Sequence, residues 1–528
     1  MNRGQPVSGS PNDRQRARRE WSADTSGDRQ RARREWSADT SGDRQRGRRE
    51  WNTDSSNDRQ RGRREWTAQA PSQRQRTADP ARLAAFDLMR AVAGGAYANL
   101  TLPKLLTERG IWGRDAAFAT ELAYGTTRLR GTYDPVIDQA AGRDHIDPAV
   151  RDCLRLGVHQ IAATRVPDHA AVAATVGLAR ERIGLGPSKF VNAVLRAITE
   201  QGFEALLDQV APDDATVEHL AIRLSHPEWI IRALRQAMVG TGRDPEQLAE
   251  VLGANNRPAT ACLVARPGLI TPDQLAEQVK TKTGRATQPG QWVTSAMTMS
   301  RGAPGDLPAV RHGQAAVQDE GSQLVAWALA QIPLDHDQGQ WLDLCAGPGG
   351  KAAILAGLAG QQGARLVANE PQPHRARLVE QALRHHGDVV QVTQDDGREV
   401  QGQYDRVLVD VPCTGLGALR RRPEARWRHS PKDLGSLRPL QRALFQAAID
   451  ATKPGGVCLY STCSPHLAET QLVVADLLKA NPTAQIMDAS QIPLLQQTGA
   501  VLPDGTVQLW TDLHGTDAMF LALITKTT

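Results

Sequence analysis

Apolar residues recur at helical spacing from residue 79 onward. Asp79-Pro80 reads as an N-cap with proline at the first helical position, and Ala85, Phe86, Met89 and Val92 then share one face. The same period runs through "RDAAFATELAYGTTRLRGTYDPVIDQA", "DPAVRDCLRLGVHQIAA", "DHAAVAATVGLARER" and "PSKFVNAVLRAITE". It predicts an all-α domain over residues 79–215, with Cys153 in its core. Residues 216–316 mix periods. "SHPEWIIRALRQAM" reads as an amphipathic helix, "ATACLVARPG" as a strand carrying a core Cys262, and "TPDQLAEQVKTKTG" as a capped helix. A small α+β connector is expected there. Over residues 317–528 short apolar runs alternate with helical segments, the pattern of a doubly wound, Rossmann-like α/β sheet. The strand candidates are "QWLDLC", "ARLVANE", "VVQVTQD", "YDRVLVDVP", "GGVCLYST", "TVQLWTDL" and "AMFLALITK". Helices are expected after Gly350 and His374, and over residues 431–451 and 466–480.

Residues 1–78 break this patterning. A 15-residue unit, "DRQRARREWSADTSG", starts at Asp13 and Asp28, and variants start at Asp43 and Asp58. Each unit offers one tryptophan (Trp21, Trp36, Trp51, Trp66) and almost no aliphatic residue, too little apolar surface to offset ordering, so a disordered tail is expected. Nineteen Arg, no Lys and 11 acids fall in residues 1–76, which leaves the rest of this +5 chain net acidic. Arg clusters with spaced tryptophans suit RNA phosphates and bases; the plainer reading is a solubilising tail.

With 40% hydrophobic residues, much of the 528-residue chain can bury a core. No apolar run approaches the ~18 residues of a membrane span, and the N-terminus lacks a signal-peptide core, so no membrane partner is expected. Six cysteines in such a chain do not read as a disulfide framework, which points to a reducing cytoplasm and free thiols.

The candidate chemistry lies at the strand ends, where open α/β sheets bind ligands. The first strand runs into Asp343-Leu-Cys-Ala-Gly-Pro-Gly-Gly350-Lys351. These glycines match neither the phosphate-cradling loop nor the dinucleotide fingerprint. The next strands end at Glu370, at Asp395-Asp396, at Asp410-Val-Pro-Cys413 and at Ser461-Thr-Cys463. Singly, each is an ordinary surface acid or buried thiol. Together they converge on one crevice. Zinc is disfavoured because Cys458 lies inside a strand and its spacing to Cys463 is poor, so no metal is expected. Acids with glycines but no pyrophosphate cradle suit an adenosine cofactor such as S-adenosylmethionine. By thiol chemistry alone, either Cys413 or Cys463 can be a nucleophile.

"DLCAGPGGK", "VDVPCTGLGALRRRPEARW" and "YSTCSP" resemble the signature motifs of bacterial RNA (cytosine-5)-methyltransferases. "VQDEGSQLVAWAL" and "LHGTDAMFLALI" resemble the segments flanking them. "LAYGTTRLRGTYD", "LRLGVHQI" and "FVNAVLRA" are similar to the RNA-binding factor NusB. The pairing resembles the Sun/RsmB type, which methylates 16S rRNA, over residue 79 to the end. The resemblance implies that Cys345, Ala346, Gly347, Pro348, Gly349, Gly350 and Lys351 line the methionine end of S-adenosylmethionine. It implies that Glu370 holds the ribose, that Asp396 lies beside the adenine and that Asp410 faces the target base. Cys463 would then attack cytosine C6 and Cys413 would help release the product.

Three departures from the family stand out: Gly347 where alanine is common, "NEPQPHR" lacking a second acid, and "TDAMF" near the end. The basic loop "LRRRPEARWRH" supplies Arg420, Arg421, Arg422, Arg426 and Trp427 as candidate RNA contacts. Two alternatives stay open: a tRNA or another rRNA as substrate, or a NusB-like RNA-binding or antitermination protein with an inactive methyltransferase domain. Oligomeric state is not legible.

Overall fold

Asp79 does cap a helix: its carboxylate accepts from the amides of Ala81 and Arg82, and Pro80 opens the first turn. The structure is a computed structural model that describes residues 78–214 and 216–527; the tail repeats lie outside the described residues. Eight helices follow in succession: Pro80–Ala93, Ala98–Glu108, Gly113–Arg128, Arg130–Ala141, Pro148–Ala163, Asp168–Arg182, Leu185–Gln201 and Phe203–Val210. Their apolar stripes meet around Leu88, Leu122, Tyr133, Ile137, Leu154 and Leu195, with Cys153 buried among them.

Helical structure continues past 215 through Val217–Arg223, Glu228–Gly240 and Leu248–Asn256. The buried face of these helices, including Ile230, Ile231 and Leu234, packs against Leu416, Leu419 and Trp510 far along the chain. Strands begin only at Ala261–Ala265, the centre of a small antiparallel sheet with Gln288–Pro289, Ala296–Met299 and Ala315–Val317. Beside it lies helix Pro272–Thr283, opened by a capping box between Thr271 and Gln274.

The large sheet contains β1 (Gln340–Asp343), β2 (Arg365–Asn369), β3 (Val390–Thr393), β4 (Tyr404–Asp410), β5 (Thr452–Thr462), β6 (Ala484–Ile486), β7 (Val507–Gln508) and β8 (Phe520–Lys526). Its order is β6-β8-β5-β4-β1-β2-β3, with β7 pairing β8. Strands β1 to β5 run parallel, and β8 enters antiparallel to its neighbours. Alternate residues feed two cores. Leu408 and Leu459 face one side with Ile354 and Leu355, whereas Val407, Val409 and Tyr460 face the other with Phe445. Chain order reverses at β1, whose neighbours are β2 and β4, so the crevice opens at the carboxyl ends of these strands. No described helix is long and apolar enough to cross a membrane.

Several expected elements are shorter. "TVQLWTDL" yields only β7 before a helical turn at Thr511–His514. The expected 466–480 helix divides into a turn at Leu467–Glu469 and a helix at Gln471–Ala480. The short strand β6 had no counterpart among the expected strands.

One candidate RNA contact, Arg426, is corrected here, and a second, Trp427, is engaged with protein. Arg426 is fully buried, and its guanidinium donates to the carbonyls of Arg128, Ser225 and Asn255 and to Asn256 Oδ1. Trp427 Nε1 donates to the Thr127 carbonyl at 2.9 Å, and its ring lies against Gly131, where a side chain would collide with it. Both side chains bind the helical region to the sheet region, and the buried Arg426 guanidinium is not available to a phosphate. Replacing Arg426 with alanine orphans several buried acceptors and should cost about 3 kcal/mol in urea unfolding. Lysine should restore little of it, because an ammonium lacks the planar fork.

Candidate active site

Strand β1 ends at Asp343, and the chain then crosses between its neighbours: Leu344 donates to Leu408 on β4, and Ala346 to Asn369 on β2. Gly349 sits at φ 104, and a Cβ there would fall 2.7 Å from Ala382 Cβ, so only glycine turns this corner. Helix Gly350–Gln361 starts at once, and Lys351 in its first turn reaches across to Asp410 Oδ2 at 2.7 Å. Burial works against this ammonium, but Asp410 outweighs it and the Lys351 pKa rises.

Asp343 itself is buried, and neither of its carboxyl oxygens closes a full hydrogen bond among the described residues. Burial, then the charge of Asp410, pushes it up to about 7, with Lys351 only partly opposing.

At the end of β2, Glu370 is buried, accepting from the Gln372 amide and lying 3.2 Å from Arg375. Arg375 also donates to the Gly347 carbonyl at 2.6 Å. A side chain on Gly347 would meet Glu370 Oε2 at 2.0 Å. Glycine at this position therefore lets Glu370 lie directly against the loop. At the end of β3, Asp396 is partly exposed and caps the turn Gly397–Glu399, and hydrogen bonds from Arg398 pull it down to about 2.

The thiols come from adjacent strands. Parallel pairing sets Asp410 on β4 opposite Ser461 on β5, and Ser461 Oγ donates to Asp410 Oδ1 at 2.8 Å. The following loops leave side by side, and Cys413 Sγ stands 3.5 Å from Cys463 Sγ. The Gly417 amide donates to the Cys463 carbonyl, and the Gly417 carbonyl accepts from Ala518; a Cβ on Gly417 would lie 2.2 Å from the Ala518 oxygen. The hydrogen bond from Cys413, working against burial, holds the Cys463 thiol below its ordinary value; Arg422 assists while Asp410 and Asp517 oppose. The same bond, with burial, pushes Cys413 up, as does Glu469. Of the two sulfurs, Cys463 is thus the one whose surroundings favour the anion. Cys345 is pushed up by burial and by Asp343, which makes its thiol a protonated wall of the crevice.

Two more of the expected RNA contacts are paired within the protein. Arg420 donates to the Gly515 carbonyl at 2.5 Å and to Asp319 at 3.2 Å. Arg421 forms a bidentate pair with buried Asp517. Asp319 in turn accepts from the Asp517 amide. These arginines fasten the loop after Cys413 to "VQDEGSQ" and "TDAMF", and this gives Asp517 in the latter segment a role. Among the described residues Arg422 is the one of the five arginines in this loop whose side chain makes no hydrogen bond or ion pair within the protein. Arg428 donates to the Gly95 and Ala96 carbonyls.

Sequence reasoning missed Asp343 as a site group, and also Asp319, Asp517 and Glu469. Glu469 is fully buried beneath the two thiol loops. No spacing marks it, since the turn that carries it was read as helix.

Residues 329–525 match the family model described as 16S rRNA methyltransferase RsmB/F, and residues 79–200 match the NusB family. A ribosomal RNA small subunit methyltransferase B of Klebsiella pneumoniae is 30% identical over 415 residues, 76% of this chain and 90% of its own. A Mycobacterium tuberculosis protein named as a candidate methyltransferase is 50% identical over 461 residues, 86% of this chain and 98% of its own.

The chain belongs to the RsmB/F family of 16S rRNA methyltransferases.

The crystal structure of PH0851 shows the same fold, with a TM-score of 0.71 at 21% identity over 85% of this chain and 99% of that one. The family is S-adenosylmethionine-dependent and acts on RNA. The residues here fit that cofactor: a buried carboxyl without a full partner suits a sulfonium cation, and the glycine loop leaves its backbone open to close approach. When bound, the cofactor supplies an electrophilic methyl group.

Asp343 gives a pH test. Its folded pKa lies above its ordinary value, so the folded state holds the extra proton and stability falls as pH rises from about 4 to about 7. Asp343→Asn should remove that loss. The stability difference between variant and parent, measured by urea unfolding without cofactor, should grow with pH across this window by roughly 3–4 kcal/mol.

Proposed function

We propose that the protein forms 5-methylcytosine in 16S rRNA through a covalent adduct between Cys463 and cytosine C6. The observation that carries this reading is the thiol pair, 3.5 Å apart, beside the Asp410–Lys351 ion pair and the glycine loop. Cytosine C5 is a weak nucleophile toward a sulfonium methyl. A thiolate adding at C6 pushes the ring electrons onto C5, which then takes the methyl group. Addition drives negative charge onto ring N3; Asp410, acting as the acid, delivers a proton there and takes it back on release, while Lys351 and Ser461 hold its two oxygens in place. Release reverses the addition. The C5 proton leaves to water, its electron pair restores the C5–C6 double bond, and the sulfur departs as thiolate with the Cys413 proton hydrogen-bonded to it. Glu370 is assigned to the ribose hydroxyls and Asp396 to the adenine.

The target base must be unstacked to expose C6, which favours a loop or flipped nucleotide. Of the basic loop, Arg422 remains the candidate for RNA contact.

Methyl transfer from labelled cofactor to 16S rRNA, followed by bisulfite mapping, tests the activity. Transfer only to tRNA, or none at all, would overturn the assignment. Cys463→Ala should lower transfer by roughly 10³-fold or more while cofactor affinity persists. Cys413→Ala should accumulate an RNA–protein adduct that survives a denaturing gel.

A further inference from the structure

We infer that Glu469 is a positioning residue that registers the two thiols against each other by tying the loop after Cys413 to the loop after Cys463. The inference rests on the roles proposed for Cys463 and Cys413. It draws on a part of the structure that plays no direct role in the chemistry.

Glu469 is fully buried, and both its oxygens are saturated. One accepts from the Thr414 amide at 2.9 Å and from Gln441 Nε2 at 3.1 Å. The other accepts from Thr414 Oγ1 at 2.5 Å and from Ser464 Oγ at 2.6 Å. Thr414 directly follows Cys413 and Ser464 directly follows Cys463, and their hydroxyls also meet at 3.2 Å. Gln441 Nε2 donates as well to the carbonyl of Pro412, on the other side of Cys413. The Glu469 backbone is pinned in its turn by the Tyr460 hydroxyl at 2.7 Å. A carboxylate offers about four acceptor sites. All four are filled here, so Glu469 has none left for a substrate, a metal ion or a proton in transit. Its position makes it a clamp, and a burial this costly is offset only while every donor stays in place.

The test reads the thiols directly, without RNA. The groups that act on Cys463 are Cys413, Asp410, Lys351, Arg421, Arg422 and Asp517, and none of them changes in the variants. Alkylation of Cys463 by iodoacetamide is followed against pH by peptide mass spectrometry on the full chain. Removing a negative charge near a thiol favours the thiolate and moves the midpoint down. Losing the aligned Cys413 donor disfavours it and moves the midpoint up. The two effects have opposite signs.

Glu469→Ala should raise the Cys463 midpoint by about one pH unit, the size of one hydrogen bond to the charged form. Glu469→Gln keeps one acceptor oxygen for the Thr414 amide and Gln441, and its NH2 can donate to the Thr414 and Ser464 hydroxyls turned to accept, so it should leave the midpoint level or lower. Thr414→Val, which removes one donor at constant volume, should shift it part of the way up and covers the case in which Glu469→Ala does not fold. An unchanged or lowered midpoint in both Glu469→Ala and Thr414→Val would overturn the role. So would a glutamine variant indistinguishable from alanine.

With RNA, Glu469→Ala should lose about 10²-fold in kcat with KM for RNA and cofactor affinity retained, the size of a misplacement near 1 Å. Loss of methyl transfer in the parent protein would strike the proposed function. A flat alkylation profile would strike only the clamp.

Discussion

The site depends on one constraint, the parallel register that sets Asp410 opposite Ser461. Adjacent parallel strands deliver their next residues to the same edge at nearly the same height. Cys413 lies three residues beyond Asp410, and Cys463 two beyond Ser461. A shift of one residue would reverse which face each side chain meets and separate the sulfurs. The register is itself held by burial on both faces, since Val407, Leu408 and Val409 pack into separate cores. The packing of apolar side chains far from the crevice therefore sets the distance between two reactive atoms within it.

Around this pair the protein uses charge mainly to hold backbone. Arg420, Arg421, Arg426 and Arg428 each end on a carbonyl or a buried acid, and together they join the loop after Cys413 to the helical region, to Asp319 and to Asp517. Guanidinium groups suit this work, because several donors in a fixed plane can satisfy acceptors from separate segments at once. The helical region is thereby continuous with the loop that carries the thiol.

Much of the fold was legible because burial on two faces leaves unbroken apolar runs, as in β4 and β5, and because glycine and proline mark the turns. The acids and thiols at strand ends could be placed for the same reason: a strand end in a doubly wound sheet is already a location. What could not be read is partner choice. "LRRRPEARWRH" is equally basic whether its arginines meet phosphate or protein, and only the fold brings Ser225, Asn255 and Asn256 to Arg426. Strand β6, three residues long, is too short to show a period. Gly347 looked like a mild departure, yet its missing side chain is the space that Glu370 uses.

The two cysteines are alike in sequence and unlike in surroundings, and that asymmetry is what allows a division of labour. Either sulfur could in principle donate to the other. Arg422 favours the anion on Cys463, whereas Glu469 disfavours one on Cys413, and both effects place the shared proton on Cys413. The acids Asp410 and Asp517 pull the other way at Cys463, so the preference is a balance that a cation in the crevice would deepen. A sulfonium there would also relieve the buried Asp343 carboxyl, whose charge is disfavoured by burial and by Asp410. On the roles proposed for these thiols, binding of a sulfonium donor and ionisation of Cys463 would be coupled through one local field.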